Sequence, residues 1–225
     1  MTNSNLNYET IEITADEFPA ILQSYVQQFR SNDSTLCREV VSKGLLTEEQ
    51  MHHAAERYHL GKSREGHPIY WLINQQGHVL DGRIDSSWAS ILLQRSPKHE
   101  LYVIVTHCLF GLHLLNHADC PNSTIAIVES ERTAFVLSEL FPKYIWMAYS
   151  SYFTIDLLKP LQGHRVIFYP KTDTTLESFL FFSDLAKLAH SVYHLDITVD
   201  KTLESHATEE QKARKIDLLD FILEQ

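Results

Sequence analysis

The chain has 225 residues and an ordinary globular composition, with 44% hydrophobic and 11% aromatic residues. Since a typical domain has about 150 residues, this length allows one large domain or two small ones with a hydrophobic core. Asp and Glu (29) outnumber Lys and Arg (19), which gives a net charge of −10. This charge argues against broad, sequence-independent phosphate binding, because such binding needs clustered cations, but it leaves room for a local basic site.

Several common classes of protein are excluded by the sequence. The three cysteines, Cys37, Cys108 and Cys120, form no C-x-x-C pair, so they predict neither a disulfide framework nor a zinc ribbon and fit a reducing cytoplasm. The first residues show no signal-peptide pattern, and no apolar run reaches the ~18 residues of a membrane span, so we expect no membrane partner. No two of the seven glycines are spaced as in G-x-G-x-x-G, which excludes that dinucleotide-binding loop.

The first 64 residues carry helix signals. Apolar residues recur at intervals of three and four over 15–30, which predicts an amphipathic helix. A second helix is expected over 36–44, ending at Gly44. The capping box Thr47-Glu48-Glu49-Gln50 predicts the start of a third. We therefore expect a helical N-terminal segment at residues 1–64.

Strand signals replace the helical period after this segment. Two apolar runs, 69–73 and 79–84, flank a polar turn that ends at Gly77, a pattern typical of a β-hairpin. Residues 101–105 are expected to form another strand. Together these elements predict a hairpin and strand subdomain at residues 65–105.

From residue 124 onward, short apolar runs alternate with helical patterns. The expected strands are 124–128, 144–148, 165–169 and 196–199, and the expected helices are 132–141, 154–161, 175–193 and 208–223. Such alternation predicts a parallel sheet covered by helices on both faces. We therefore expect an α/β domain at residues 106–225.

Acidic residues follow two of the predicted strands. Glu129 and Glu131 come after the strand at 124–128, and Asp173 comes after the strand at 165–169. Because ligands of an open parallel sheet bind beyond the carboxyl ends of its strands, these carboxylates are expected to converge there. Hard oxygen ligands of this kind suit Mg²⁺ and leave room for substrate phosphates. The alternative, which the pattern alone favours, is that Glu129 or Glu131 only caps the following helix.

Several stretches carry a family resemblance. Residues 125–134, IAIVESERTA, resemble the first motif of Toprim domains, the metal-binding fold of bacterial primases and topoisomerases. Residues 107–173 resemble more closely the Toprim-like domain of uncharacterised primase-related proteins carried by mobile elements. The shared features, in chain order, are Cys108-Leu109-Phe110-Gly111-Leu112-His113-Leu114-Leu115, Val128-Glu129-Ser130-Glu131, an aromatic strand, and Tyr169-Pro170 at the end of the third strand. Similar flanks extend the resemblance to roughly residues 20–225. It implies a Toprim-like parallel sheet preceded by the helical segment and the hairpin.

The metal motif departs from the family pattern. In Toprim domains a Glu after the first strand acts with an Asp-x-Asp after a later strand to hold Mg²⁺ for phosphoryl transfer or nucleic-acid cleavage. Glu129 keeps the first position, but the second motif reads Lys171-Thr172-Asp173. A like charge at ~4 Å costs on the order of 4 kcal/mol at an effective dielectric of 20, so metal binding should be weak or absent. We expect Lys171 to lie near Glu129 and Asp173 and to act as an internal cation.

The resemblance and the altered metal motif together imply a non-catalytic component of mobile-element DNA replication that binds nucleic acid or protein and needs no cofactor, and the cysteine content favours the cytoplasm. DNA or replication proteins are its expected partners. The candidate ligand- or phosphate-binding residues are Lys171, Arg132 at a helix start, Glu131, and Arg83 at the end of the hairpin.

Two alternatives stay open. In the first, the chain is an active Mg²⁺-dependent nucleotidyl transferase or nuclease, in which Glu129 and Asp173 are catalytic and hold the metal with Glu131. In the second, the chain is a protein-interaction scaffold without nucleic-acid binding. The sequence identifies neither a substrate nor the oligomeric state.

Overall fold

The computed structural model describes residues 24, 26–84, 87–90, 108–116, 123–149 and 153–225. The strands in this part of the chain are β1 (Gly61–Lys62), β2 (Pro68–Ile73), β3 (Val79–Ile84), β4 (Ser87–Ser90), β5 (Thr124–Val128), β6 (Tyr144–Ala148), β7 (Arg165–Phe168) and β8 (Asp196–Val199). The α-helices are α1 (Thr35–Ser42), α2 (Glu48–Arg57), α3 (Glu131–Leu140), α4 (Glu177–Tyr193), α5 (Thr202–His206), α6 (Glu209–Ala213) and α7 (Leu218–Leu223). Short 3-10 helices span Leu112–Asn116 and Ile155–Leu161.

An antiparallel sheet in the order β1-β2-β3-β4 confirms the predicted hairpin. Every residue of β2 is buried, because side chains on its two sides pack against different partners. Trp71 belongs to a small apolar cluster with Val26, whereas Tyr70 and Leu72 pack into the main core. Since successive strand residues face opposite sides of a sheet, β2 joins the hairpin to the rest of the molecule.

A parallel sheet in the order β6-β5-β7-β8 confirms the predicted α/β architecture. Its central strand β5 pairs with β6 on one side and with β7 on the other. Residues 125–128 are almost completely buried, as expected for a strand covered on both faces. This order brings the carboxyl ends of β5 and β7 side by side.

Several helix predictions are confirmed by the capping geometry. Thr47 caps α2: its hydroxyl oxygen accepts from the main-chain N–H of Gln50, and its own main-chain N–H donates to Gln50 Oε1. Of the helix expected over 15–30, residues 24 and 26–29 are helical, and most of its remaining residues lie outside the described part of the chain. The strand expected at 101–105 lies outside it as well.

The prediction of one helix over 208–223 is wrong. Thr208 starts α6 with the predicted capping box, but α6 ends at Ala213. Lys215 adopts a left-handed backbone with φ of 54°, which breaks the helix. Asp217 then caps α7 through a second box with Asp220.

The predicted segment boundaries at 64/65 and 105/106 stay predictions, and the second lies outside the described residues. None of the helices in the described ranges combines the length with the apolar composition that a membrane span requires.

Candidate functional site

The predicted acidic residues meet where β5 and β7 end. Ile127 of β5 pairs with Phe168 of β7, so the residues that follow the two strands start from the same edge of the sheet. Glu129 comes one residue after β5, and Asp173 lies five residues after β7. The structure therefore brings both carboxylates to the carboxyl edge, where ligands of such sheets bind.

Glu129 is tied to both neighbouring segments by hydrogen bonds. Its Oε1 accepts from the main-chain N–H of Lys171 at 2.8 Å and from the hydroxyl of Ser178 at 3.0 Å. Lys171 follows β7, and Ser178 lies in the first turn of α4. The half-buried carboxylate thus links the ends of β5, β7 and α4.

Asp173 acts as a cap for the start of α4. The side chain is only 5% exposed. Its Oδ1 accepts from Thr175 N at 2.8 Å, Thr175 Oγ1 at 2.7 Å and Glu177 N at 3.1 Å, and its Oδ2 accepts from Ser178 N at 2.9 Å. Burial alone would raise the pKa of Asp173, but these donors outweigh it and lower the pKa to about 2.

The hypothesis that Lys171 acts as an internal cation is wrong about the contact between its ammonium and the two carboxylates. Among the described residues the Lys171 ammonium forms no ion pair with Glu129 or Asp173, and only its main-chain N–H contacts Glu129. The physical reason lies in α4. Its N-terminal N–H groups carry partial positive charge and stabilise the Asp173 carboxylate in place of an ammonium.

The residue between Lys171 and Asp173 is covered by the C-terminal part of the chain. Thr172 is completely buried. Its main-chain N–H donates to Ile216 O at 3.1 Å, and its hydroxyl donates to Glu204 Oε1 at 2.9 Å. These contacts hold the 171–173 segment in a fixed conformation.

Tyr149, which follows β6, completes the edge beside Glu129. Burial raises the pKa of the Tyr149 hydroxyl, and the negative charge of Glu129 together with a hydrogen bond to it raises the pKa further. The hydroxyl therefore stays protonated and can donate to the carboxylate.

The other predicted site residues pair with each other or with distant residues. Glu131, in the first turn of α3, accepts from Arg83 of β3 at 3.0 Å, with both side chains largely buried. Arg132 lies 3.3 Å from Glu39 of α1 and 4.0 Å from Asp220 of α7. These arginines and Glu131 thus bridge the parallel sheet layer to neighbouring elements.

The residues present do not fit a bound Mg²⁺ ion. In the part of the chain that the structure describes, no group of three or more His, Cys, Asp or Glu side chains is placed to hold a metal. Both carboxylate oxygens of Asp173 accept hydrogen bonds from the first residues of α4. Oε1 of Glu129 accepts hydrogen bonds from two donors. A divalent cation needs several such oxygens at once, so the geometry supports a structural role for this pair.

Three contributors were missed by the sequence analysis. Thr175 and Ser178 donate to the carboxylates, but nothing in their local pattern distinguishes them from ordinary residues at a helix start. Tyr149 offered a signal, because it comes directly after β6 at the same edge of the sheet.

One known family matches the sequence of the chain. A family model for DUF6371, a domain of unknown function, matches residues 35–172. A search of the curated proteins gave no match.

Several solved structures with a similar fold are primases. A DnaG primase catalytic domain bound to ssDNA is similar at a TM-score of 0.56 and 12% identity, with 92% of this chain and 84% of that chain covered. The catalytic core of E. coli primase matches at 0.53 and 14%, over 92% and 82% of the two chains. The zinc-binding and RNA polymerase domains of Aquifex aeolicus primase match at 0.55 and 14%, over 95% and 65%. At these identities the likeness shows the fold, which is the predicted Toprim-like one.

Proposed function

This chain belongs to the DUF6371 family of domains of unknown function, and we propose that it is a non-catalytic, Toprim-like module of a primase-related system. In this proposal it acts in the cytoplasm, in DNA replication of a mobile element, and binds DNA or a replication protein without a metal cofactor. The primase fold of its structural neighbours supports the link to replication, and one of those neighbours is bound to ssDNA.

One observation carries the non-catalytic part of the proposal. Asp173, the only carboxylate left in the second metal motif, is saturated by donors from Thr175, Glu177 and Ser178. If Asp173 gave up these bonds to bind a cation, α4 would lose its cap. Phosphoryl transfer assisted by metal is therefore disfavoured at this edge.

The experiment is calorimetric titration of the protein with Mg²⁺ and with Mn²⁺. We expect no saturable binding below millimolar concentration. Binding below millimolar that disappears in Glu129→Ala would overturn the non-catalytic proposal and support the metal-dependent transferase or nuclease instead.

A second measurement separates the two classes of partner. Fluorescence anisotropy of a labelled single-stranded oligonucleotide should rise on titration with the protein, and the affinity should fall with added salt, because phosphate contacts release counterions. An unchanged anisotropy at low salt would contradict DNA binding and favour a protein partner.

A further inference from the structure

A cavity lies near the amino ends of the parallel strands, beside the start of the outermost strand β6. Its volume is about 700 Å³, and its walls come from the C-terminal half of α2, the end of α3 and residues 142–146. Ligand pockets in proteins commonly measure about 300–1,000 Å³, so the cavity has the size of a small-molecule site. It lies far along the strands from Glu129, which follows the other end of β5.

Two cationic side chains of this cavity can contact an anion. Arg57 and Lys143 line it together with one acid, Glu56. Arg57 already pairs with Glu139, so Lys143 is the lining cation that forms no ion pair with a described residue. Arg57 is held in place, since its guanidinium donates to Ser138 O at 3.2 Å and lies 2.9 Å from Glu139 Oε1.

Aromatic side chains form another wall. Tyr144 and Trp146 meet edge to face, with ring centroids 5.6 Å apart. The Tyr58 hydroxyl donates to Trp146 O at 2.8 Å and fixes the neighbouring main chain. The Lys143 ammonium lies over the half-buried Tyr144 ring, 4.9 Å from its centroid, so a cation and an aromatic ring belong to the same wall.

We propose that this cavity binds a small organic anion with a planar aromatic group, of the size and charge of a nucleoside monophosphate. Its ring packs against Tyr144, and its phosphate lies between Lys143 and Arg57. Rings pack against tyrosine through offset or edge-on contacts, and lysine and arginine are the usual donors to phosphate. The proposal is independent of the function of the Glu129 edge.

Calorimetric titration with adenosine monophosphate, adenosine and inorganic phosphate tests the proposal. We expect saturable, submillimolar binding of adenosine monophosphate and at least about tenfold weaker binding of either part alone. Inorganic phosphate bound as tightly as the nucleotide would overturn the role of the ring. Absence of saturable nucleotide binding at millimolar concentration would overturn the site.

Matched variants locate the binding. Lys143→Met and Tyr144→Ala should each raise the Kd at least about tenfold. Lys159→Met, which removes an exposed lysine outside the cavity, and Glu129→Gln, at the other edge, should leave the Kd unchanged. Thermal unfolding checks that each variant is folded. If Tyr144→Ala does not fold, Arg57→Lys serves as the second cavity variant. Binding that is lost in Glu129→Gln and kept in Lys143→Met would assign the ligand to the other edge and overturn the proposal.

Discussion

The main-chain N–H of Lys171 donates to Glu129 Oε1 over 2.8 Å, while the ammonium of the same residue takes no part in the contact. Any residue other than proline can supply this bond, because it comes from the backbone. The Lys171 side chain is therefore replaceable without loss of the local fold, which makes position 171 suitable for testing the metal motif.

Replacing Lys171 with Asp should create or strengthen Mg²⁺ binding. The substitution removes a cation and restores the missing carboxylate next to Glu129, and both changes favour a divalent ion. We expect the calorimetric Kd for Mg²⁺ to fall by at least about tenfold relative to the unaltered chain. Lys171→Asn is the matched control, since it removes the charge without adding a ligand. Equal gains in the two variants would show that the charge alone decides the affinity, and no gain in either would contradict the prediction.

Removing the Asp173 carboxylate should destabilise the protein in a pH-dependent way. Its pKa is lowered from 3.8 to about 2 in the folded state, so the stabilisation is complete above the unfolded value and is lost as the pH falls through the folded value. We expect Asp173→Ala to lower the free energy of unfolding by about 2 kcal/mol at neutral pH. The difference from the unaltered chain should shrink between about pH 4 and pH 2.

Urea denaturation at neutral pH and at about pH 3 measures this effect. Asp184→Ala is the matched control, because it removes an exposed aspartate from the same helix, and it should cost less than about 0.5 kcal/mol. A pH-independent loss in Asp173→Ala would contradict the assignment of the low pKa to this carboxylate.

Much of this fold could be predicted because short sequence patterns mark where its helices and strands begin and end. The capping boxes at Thr47 and Thr208 mark true helix starts, and the apolar runs of β5 and β7 placed Glu129 and Asp173 at one edge of the sheet. The break at Lys215 was missed because a lysine in a left-handed conformation has no sequence signal, unlike a glycine.

The details of the site depend on tertiary contacts that the spacing of apolar residues in the sequence does not predict. Whether Lys171 meets Glu129 through its ammonium or its amide is decided by the path of the chain after β7. The partner of Arg83 is likewise 48 residues away in sequence, so only the tertiary contact between β3 and the start of α3 reveals it.

The Arg83–Glu131 pair should contribute measurably to stability. Its side chains are 17% and 11% exposed, and removing one partner takes a largely buried ion-pair contact away from the other charge. We expect Glu131→Gln and Arg83→Met each to cost about 2 kcal/mol, with a coupling of about 1–2 kcal/mol in a double-mutant cycle. The exposed pair Lys187–Asp184, at 2.8 Å, should give a coupling below about 0.5 kcal/mol. Similar couplings for the two pairs would contradict the structural role of Arg83 and Glu131.

Gly111, within the stretch that carries the family resemblance, should tolerate no side chain. Its φ is 86°, and a Cβ there would lie 2.9 Å from Trp146 O and 3.1 Å from a ring carbon of Tyr58. Gly163 is a matched control with φ of 87°, because a Cβ there meets no atom of the described residues within 4 Å. We expect Gly163→Ala to cost about 1–2 kcal/mol through backbone strain alone. Gly111→Ala should cost about 2 kcal/mol more, because the clash with the edge strand β6 adds to the same strain. Denaturant midpoints of the two variants measure the difference, and equal losses would show that the contact with β6 relaxes without penalty.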